Sequence, residues 1–298
     1  MMKRLSRRSF LATAAAAGPL AAAARAIEPI GRTRPSHLKL SLAAYSLRDR
    51  LTGPNKSMDL FGFVDFAADL ALDAVEPTSY YFPPDVDAAY CRRLRQYAFR
   101  LGLDVSGTAV SNDFCQPPGP KREADLAYVR RWIDLAAELD APVIRIFAGH
   151  VPPGGDEDQA LARCVEGIEQ SLAYAAGRGV ALALENHGGP TATAAGLLRI
   201  VKAVRAPAGN FGVNLDSGNF RGDDPYAELA EIAPYALNVQ VKTEIARRGR
   251  KEEADYGRIV GILREAKYSG YVVLEYEAAA DPAEAIPTAI RRLREAIG

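Results

Sequence analysis

The chain has 298 residues, of which 37 are Lys or Arg, 37 are Asp or Glu, and 48% are hydrophobic. This length suits one αβ barrel of ~250 residues better than two small domains. The balanced charge, without basic runs, lacks the electrostatic footprint of a nucleic-acid-binding protein, so we expect no nucleic-acid partner. Cys91, Cys115 and Cys164 are odd in number and widely spaced, which argues against a disulfide framework or a thiolate metal cluster.

The first 26 residues are typical of an export signal. Basic residues precede an apolar stretch at 10–24, and the sequence ARA at 24–26 reads as a cleavage site. Arg7 and Arg8, within SRRSFL at 6–11, form the pair of a twin-arginine signal. We therefore expect residues 1–26 to be a signal peptide that engages the twin-arginine translocase and directs the protein to the periplasm. An ordinary secretory leader or a retained anchor is the alternative.

Removal of this leader changes the charge of the chain. Five basic residues and no acidic one lie in residues 1–26, so the mature chain has a formal net charge of −5. We expect no stable membrane span after cleavage, because a span needs ~20 strongly apolar residues. Residues 27–37 are predicted to be a linker to the first strand.

Eight short apolar runs alternate with longer segments of helical period, and the order predicts a single-domain (β/α)₈ (TIM) barrel over residues 38–298. The continuous apolar character of the runs is typical of parallel strands that are covered on both faces. An open doubly wound sheet would usually carry a Gly-rich loop after its first strand, and none is present there. The predicted strands are residues 38–45, 71–76, 103–108, 142–147, 180–185, 211–216, 237–242 and 271–276.

The helical segments carry start signals of their own. Residues 124–139 have apolar positions three and four apart, as in a helix with one buried face. Asp281 precedes Pro282, which places a capping side chain before a proline at the first helical position. This pair predicts a closing helix over residues 282–297.

Acidic side chains end several of the predicted strands. Glu185, Asp216 and Glu275 each end an apolar run, and in a barrel of this type the carboxyl ends of the strands carry the catalytic groups. Converging carboxylates repel one another unless positive charge lies between them, and a divalent cation held by oxygen ligands is the simplest source of that charge. The alternative is that each acid pairs with a basic neighbour such as Arg145 or Lys242.

Four motifs resemble the xylose isomerase-like barrel superfamily, which includes sugar phosphate isomerases and epimerases. They are LENHGG at 184–189, NLDSGN at 214–219, VQVK at 239–242 and LEYE at 274–277. The resemblance covers essentially all of residues 38–298. It implies a TIM barrel that isomerises or epimerises a sugar.

The same resemblance implies a metal site. Epimerases of the superfamily hold the metal with Glu, Asp, His and Glu from strands five to eight, and Glu185, Asp216 and Glu275 match three of these ligands. Gln240 stands where the family usually has His, and Asn219 stands where an Asp-x-x-His motif has its His. Gln supplies a neutral oxygen, so the expected site is all-oxygen and favours Mn²⁺ or Mg²⁺ over Zn²⁺.

The expected chemistry is removal of a proton from the carbon next to a carbonyl, through an enediolate. Glu185 and Glu275 are the candidate pair that takes and returns the proton on opposite faces, unless both are metal ligands alone. His187, two residues beyond Glu185, is a candidate proton shuttle or donor to a sugar hydroxyl. A satisfied structural histidine is the alternative for this residue.

Further candidate residues would bind the substrate. Lys242 and Arg145 would orient hydroxyls or hold an enediolate oxygen, or else pair with the acids. Tyr81 lies in an aromatic loop suited to stacking on a sugar face. Glu76 ends the second strand before that loop, and Asn219 follows the sixth strand.

We therefore expect a metal-dependent sugar isomerase or epimerase that acts on a free sugar or a glycoside. A lyase or dehydratase acting on a 3-keto-glycoside or an inosose would use nearly the same groups. A periplasmic sugar-binding barrel without catalytic activity is the alternative from another class. Homo-oligomerisation is left open.

Overall fold

The computed structural model describes residues 25–206 and 210–298. The predicted leader falls almost wholly on residues 1–24, so the twin-arginine motif lies outside the described residues. In the described part, no helix is long and apolar enough to cross a membrane.

A closed ring of parallel strands forms the centre of the molecule, with the neighbour order β3-β2-β1-β8-β7-β6-β5-β4-β3. Each strand is followed by a helix that packs outside the ring, which confirms the predicted (β/α)₈ barrel. The strands are β1 (Leu38–Ala43), β2 (Ala74–Glu76), β3 (Asp104–Val105 and Thr108–Ala109), β4 (Val143–Ile146), β5 (Ala181–Glu185), β6 (Phe211–Asp216), β7 (Ala236–Val241) and β8 (Gly270–Leu274).

The third strand is divided into two pieces, whereas the sequence predicted one continuous strand at 103–108. The first piece pairs with β2, and the second pairs with β4. Gly107 lies between the pieces, and a Cβ atom at this position would come within 3.0 Å of the backbone oxygen of Val143. The wall passes so close to β4 here that a larger residue would require Val143 to move, so glycine is favoured where the strand is divided.

In the described part of the chain, eight longer helices surround the ring, and a four-residue helix, Arg48–Leu51, follows β1. Aspartate caps are frequent, and the side chain of Asp281 accepts a hydrogen bond from the backbone N–H of Ala283, as the sequence predicted. The closing helix has the predicted bounds, whereas α3 begins at Pro120, four residues earlier than expected. The helices are α1 (Leu60–Asp69), α2 (Ala88–Arg100), α3 (Pro120–Leu139), α4 (Glu157–Ala175), α5 (Ala194–Ala203), α6 (Pro225–Ile232), α7 (Tyr256–Glu265) and α8 (Pro282–Ile297).

Strands β6 and β7 alternate between apolar and polar residues, because successive side chains point to opposite faces of a strand. Val213 and Leu215 are fully buried on one face of β6, and Asn214 and Asp216 are fully buried on the other. The polar face points into the barrel, where the side chains of several strands meet. Both faces of these strands are buried, as the mostly continuous apolar runs predicted, but the face inside the barrel is polar.

The segment before β1 packs against the barrel instead of hanging free. Arg25–Ala26 pairs antiparallel with Arg205–Ala206, and Ile27 is buried. Arg32 donates to the backbone oxygens of Pro234, at 3.3 Å, and of Ala236. Since Ala236 is the first residue of β7, the segment predicted as a linker braces the end of the barrel opposite the carboxyl ends of the strands.

Candidate active site

The carboxyl ends of strands β2 and β4 to β8 bring charged side chains together inside the barrel mouth. Arg145 lies in β4, Glu185 and Asp216 end β5 and β6, and Lys242 and Glu275 directly follow β7 and β8. All five are buried. Buried charges are stable only when they are paired, so the contacts among these groups determine what the site can do.

Two side chains hold the carboxylate of Glu185. Nε of Arg145 lies 2.9 Å from Oε2, and Nδ2 of Asn219 donates to Oε1 at 2.8 Å. Arg145 is itself fixed, because it donates to the backbone oxygen of Val110 at 3.0 Å and stacks 4.0 Å from the ring centre of Phe147. Glu185 therefore has a single well-defined orientation toward the mouth.

Lys242 lies at the centre of a second group of carboxylates. Its Nζ atom is 3.2 Å from Asp216, 3.3 Å from Glu275 and 2.9 Å from Glu277, and it donates to Oδ1 of Asn219 at 3.1 Å. Asn219 thus joins the two groups, because it also donates to Glu185. Burial works to lower the pKa of Lys242, but Asp216, Glu275 and Glu277 together raise it well above its ordinary value. The lysine is a permanent cation.

The three acids at the strand ends have raised pKa values. Burial raises the pKa of Glu185 to about 7, although Arg145 opposes the shift. Burial also raises the pKa of Glu275 to about 7, against the effect of Lys242, and that of Asp216 to about 6. Repulsion between Glu185 and Glu275 adds to the shift of Glu185. Carboxyl groups of this kind exchange protons near neutral pH, as general acids and bases require.

Gln240 belongs to a different network, deeper in the barrel. Its Nε2 atom donates to Glu76 at 2.6 Å, and its Oε1 atom accepts from Asn214 at 2.7 Å. Asn238 completes the ring by donating to Glu76 at 2.7 Å and to Asn214 at 2.9 Å. Four buried side chains thus satisfy one another. Both functional atoms of the Gln240 amide are used within this ring, by Glu76 and Asn214.

The remaining predicted residues line the outer part of the mouth. His187 is exposed on one side, and its ring packs 4.3 Å from that of Phe147. Partial burial and the positive charge of Arg145 lower the pKa of His187, so its ring is neutral at physiological pH. Burial, with the nearby Tyr45 hydroxyl, raises the pKa of Tyr81, which keeps it a neutral hydroxyl near Glu275.

Two hollows open at this mouth. The larger, of about 390 Å³, lies beside His187 and could accept a ring or substituent of a sugar-sized ligand. It is also lined by Asn112, Asp113, Phe147, His150 and Thr191. A smaller hollow of about 70 Å³ adjoins Lys242 and Glu277.

The donor atoms do not fit the divalent ion that the resemblance implies. Across residues 25–206 and 210–298, no three His, Cys, Asp or Glu side chains are arranged to hold a metal ion. Arg145 pairs with Glu185, and Lys242 lies between Asp216 and Glu275. The acids therefore take the basic partners that the sequence left as the alternative.

Several residues of the site were not singled out from the sequence. Glu277 contacts Lys242, Tyr80 accepts from Arg145 at 3.3 Å, and Asn214 and Asn238 satisfy Gln240 and Glu76. The period-two spacing of Asn214 with Asp216 and of Asn238 with Gln240 was the available signal. Tyr80 lies in the aromatic loop that was predicted to contact a sugar, but its contact with Arg145 depends on the approach of a separate strand.

Comparison with known proteins identifies the family. A model of the xylose isomerase-like TIM barrel family matches residues 64–296, which is most of the chain. The chain belongs to this family. No curated protein sequence matches it.

Solved structures with the same fold have been given different activities. A xylose isomerase domain protein from Planctomyces limnophilus is 18% identical, with a TM-score of 0.68 over 88% of this chain and 98% of that one. D-psicose 3-epimerase from Clostridium cellulolyticum H10 is 16% identical, with a TM-score of 0.69 over 87% and 99%. The probable 3-DHS dehydratase AsbF from Bacillus anthracis is 16% identical, with a TM-score of 0.66 over 86% and 98%. At this identity the similarity shows the fold alone.

Proposed function

We propose that this protein is a sugar isomerase or epimerase that moves a proton at the carbon next to a substrate carbonyl. The observation that carries the proposal is the pair of buried glutamates, Glu185 and Glu275, each with a pKa raised to about 7. At neutral pH such a pair can hold one carboxylate and one carboxylic acid, which are the base and the acid that proton transfer needs.

The proposed reaction assigns these two residues complementary roles. The ionised glutamate takes the proton from carbon, and the C–H electron pair forms a C=C bond while the carbonyl oxygen gains negative charge. For an epimerase, the other glutamate returns a proton to the same carbon on the opposite face. For an isomerase, the proton is returned to the former carbonyl carbon, and the hydroxyl proton of the deprotonated carbon passes to the former carbonyl oxygen. β5 and β8 are separated by two strands in the wall, so the glutamates approach the substrate from different sides.

Other groups at the mouth are suited to a carbohydrate. The neutral side chains of Tyr81 and His187 can stack on or donate to a sugar, and Asn219 lies between the two acidic groups. The larger hollow, beside His187, has room for a part of the substrate other than the reacting carbon. We therefore propose a free sugar or a glycoside as the substrate.

The Mn²⁺ or Mg²⁺ ion expected from the resemblance takes no part in this proposal. Its expected ligands are engaged by Arg145, Lys242 and Asn214, so we derive no step through a metal. The positive charge that an enediolate needs is instead available from side chains already in the mouth.

A lyase or dehydratase is the second candidate, because abstraction of the same proton can be followed by loss of a group from the next carbon. The presence of a probable dehydratase among the structures with this fold favours keeping this candidate. A sugar-binding protein without activity is the third, and it would bind a sugar without exchanging its protons.

Solvent exchange separates these functions. The purified protein would be incubated in D₂O with a panel of ketoses, aldoses and 3-keto-glycosides, and followed by NMR. Deuterium at the carbon next to the carbonyl, with an isomerised or inverted sugar, supports the proposal. Exchange with release of an aglycone or water indicates elimination instead. Binding without exchange, in wild type and in Glu275→Gln alike, contradicts both enzyme functions.

We also propose that the protein works in the periplasm after export through the twin-arginine translocase. Arg7 and Arg8 carry this proposal. Replacing both with Lys should leave the precursor in the cytoplasm, as seen by cell fractionation. Unchanged export of that variant would contradict the route.

A further inference from the structure

The three acids that the resemblance assigns to a metal ion are served by fixed cations of this chain. Arg145 forms an ion pair with Glu185, and Lys242 forms ion pairs with both Asp216 and Glu275. Within the described residues, Oδ2 of Asp216 has no hydrogen-bond partner, so the ammonium group 3.2 Å away is what balances its charge.

We propose that the ammonium group of Lys242 is the built-in cation of this active site and stabilises the enediolate oxygen in place of a divalent metal ion. The catalytic part of this inference rests on the proposed function, whereas its prediction about metal binding does not. This inference says more than that Lys242 orients the substrate. It states that the ammonium group and a metal ion cannot occupy the same position in the site.

The path of the Lys242 side chain supports this role. A Cβ atom at Gly218 would come within 2.7 Å of Cδ of Lys242 and 3.0 Å of its Cβ, so the stem of the lysine runs directly over the glycine. The backbone N–H of Lys242 donates to Oγ of Ser217 at 2.9 Å. The turn after β6 therefore packs against the aliphatic part of the Lys242 side chain, and this packing fixes the position of the ammonium group.

Gln240 supplies the second argument. At the strand-7 position where the resemblance expects a histidine ligand, this residue donates to Glu76 and accepts from Asn214. Turning the amide toward a metal ion would leave Oε1 of Glu76 and Nδ2 of Asn214 buried without a hydrogen-bond partner. β7 thus carries Gln240 in place of the expected histidine ligand, and the cationic Lys242 follows it directly.

The geometry also indicates how a substrate would reach the ammonium group. Glu277 is the outermost of the three acids around Lys242, with 36% of its side chain exposed, whereas Asp216 and Glu275 have 0% and 8%. A substrate oxygen would replace Glu277 and accept a hydrogen bond from Nζ. When a glutamate removes the proton from carbon, this oxygen gains the negative charge and the lysine stays protonated. No oxidant, reductant or co-reactant is required.

The test uses the full mature chain and Mn²⁺ alone, titrated into chelator-treated protein and followed by electron paramagnetic resonance. Wild type is expected to show no saturable Mn²⁺ binding up to millimolar concentration. Lys242→Met removes the competing charge and is expected to gain saturable binding. Lys251→Met is the matched control, because Lys251 pairs with Glu244 at 2.9 Å near the same mouth but is largely exposed. It should behave as wild type does.

Exchange activity gives the second readout. Wild-type deuterium exchange should survive chelation, and Lys242→Met should lower it by about 10²- to 10³-fold, the effect typical of losing one donor to a developing oxyanion. Saturable Mn²⁺ binding by wild type, or loss of its exchange on chelation, would overturn the proposal. If Lys242→Met does not fold, the wild-type titration still decides the question. If no substrate is found, the proposed function fails, but the Mn²⁺ titration tests the lysine by itself.

Discussion

Nε2 of Gln240 donates a hydrogen bond of 2.6 Å to Oε1 of Glu76, and this contact links β7 to β2 across the interior of the barrel. The other carboxylate oxygen accepts from Asn238 at 2.7 Å. Glu76 is thus the acceptor that closes a ring of four buried side chains.

The Glu76→Ala substitution should therefore destabilise the protein strongly. It leaves Nε2 of Gln240 without its acceptor and leaves Asn214 as the remaining acceptor of Asn238. Each of the two lost hydrogen bonds costs ~1–3 kcal/mol, so we expect the free energy of unfolding to fall by about 2–6 kcal/mol. Denaturant unfolding measures the change. Glu138→Ala is the control, because its ion pair with Arg92 is half-exposed and is worth about 0–1 kcal/mol. Equal effects of the two substitutions would mean that the ring contributes little.

Arg145→Lys should lower the exchange rate by about 10²-fold while the protein stays folded. Lysine cannot reach Glu185, the Val110 backbone and the Phe147 ring together, and a small displacement of a catalytic group has an effect of this size. Arg178→Lys is the matched control, since Arg178 also pairs with an acid and stacks on a tyrosine, but at the surface. A fall in the rate of the control as large as that in Arg145→Lys would exclude a specific role.

Single Gln substitutions at Glu185 and Glu275 should separate the two faces of the reaction. If each glutamate serves one face, each variant loses exchange with one epimer of the substrate by about 10²- to 10⁴-fold and keeps more of it with the other. NMR of both epimers in D₂O gives the two rates. If one variant loses exchange with both epimers and the other variant loses none, a single glutamate carries out all of the proton transfer.

The pH dependence of exchange should be bell-shaped and centred near pH 7. Burial raises the pKa of both glutamates to about 7 from an ordinary value of 4.5, so below this pH both are protonated and no base is present. Well above it both are ionised and no acid is present. Rates measured at constant ionic strength give the profile. A single rise near pH 4.5 would show that the base is an ordinary exposed carboxylate.

The architecture could be predicted because it depends on local patterns. The eight apolar runs gave the eight strands, and Asp281 with Pro282 gave the start of α8, since capping is decided within one turn. The break in β3 was not predicted. The first piece of this strand pairs with β2 and the second with β4, and these pairings are decided only when the strands meet.

The sequence identified the residues of the site better than it identified the contacts between them. Acids at the ends of apolar strands indicate a functional mouth, but the sequence favoured a metal ion as their partner and left Arg145 or Lys242 as the alternative. The partner is decided by side-chain reach and strand register. Gln240 illustrates the difference, because its place in the sequence predicted a contact with the acids, whereas the register of β7 directs its amide to Glu76 and Asn214.

The attachment of residues 25–32 to the far end of the barrel has a consequence for the precursor. Arg32 fixes this segment under the first residue of β7, so residue 25 lies at the end of the barrel opposite the mouth. Cleavage after Ala26, as the sequence predicts, would remove the pairing of Arg25–Ala26 and keep the contacts of Arg32. We therefore expect the precursor and the mature chain to exchange substrate protons at the same rate.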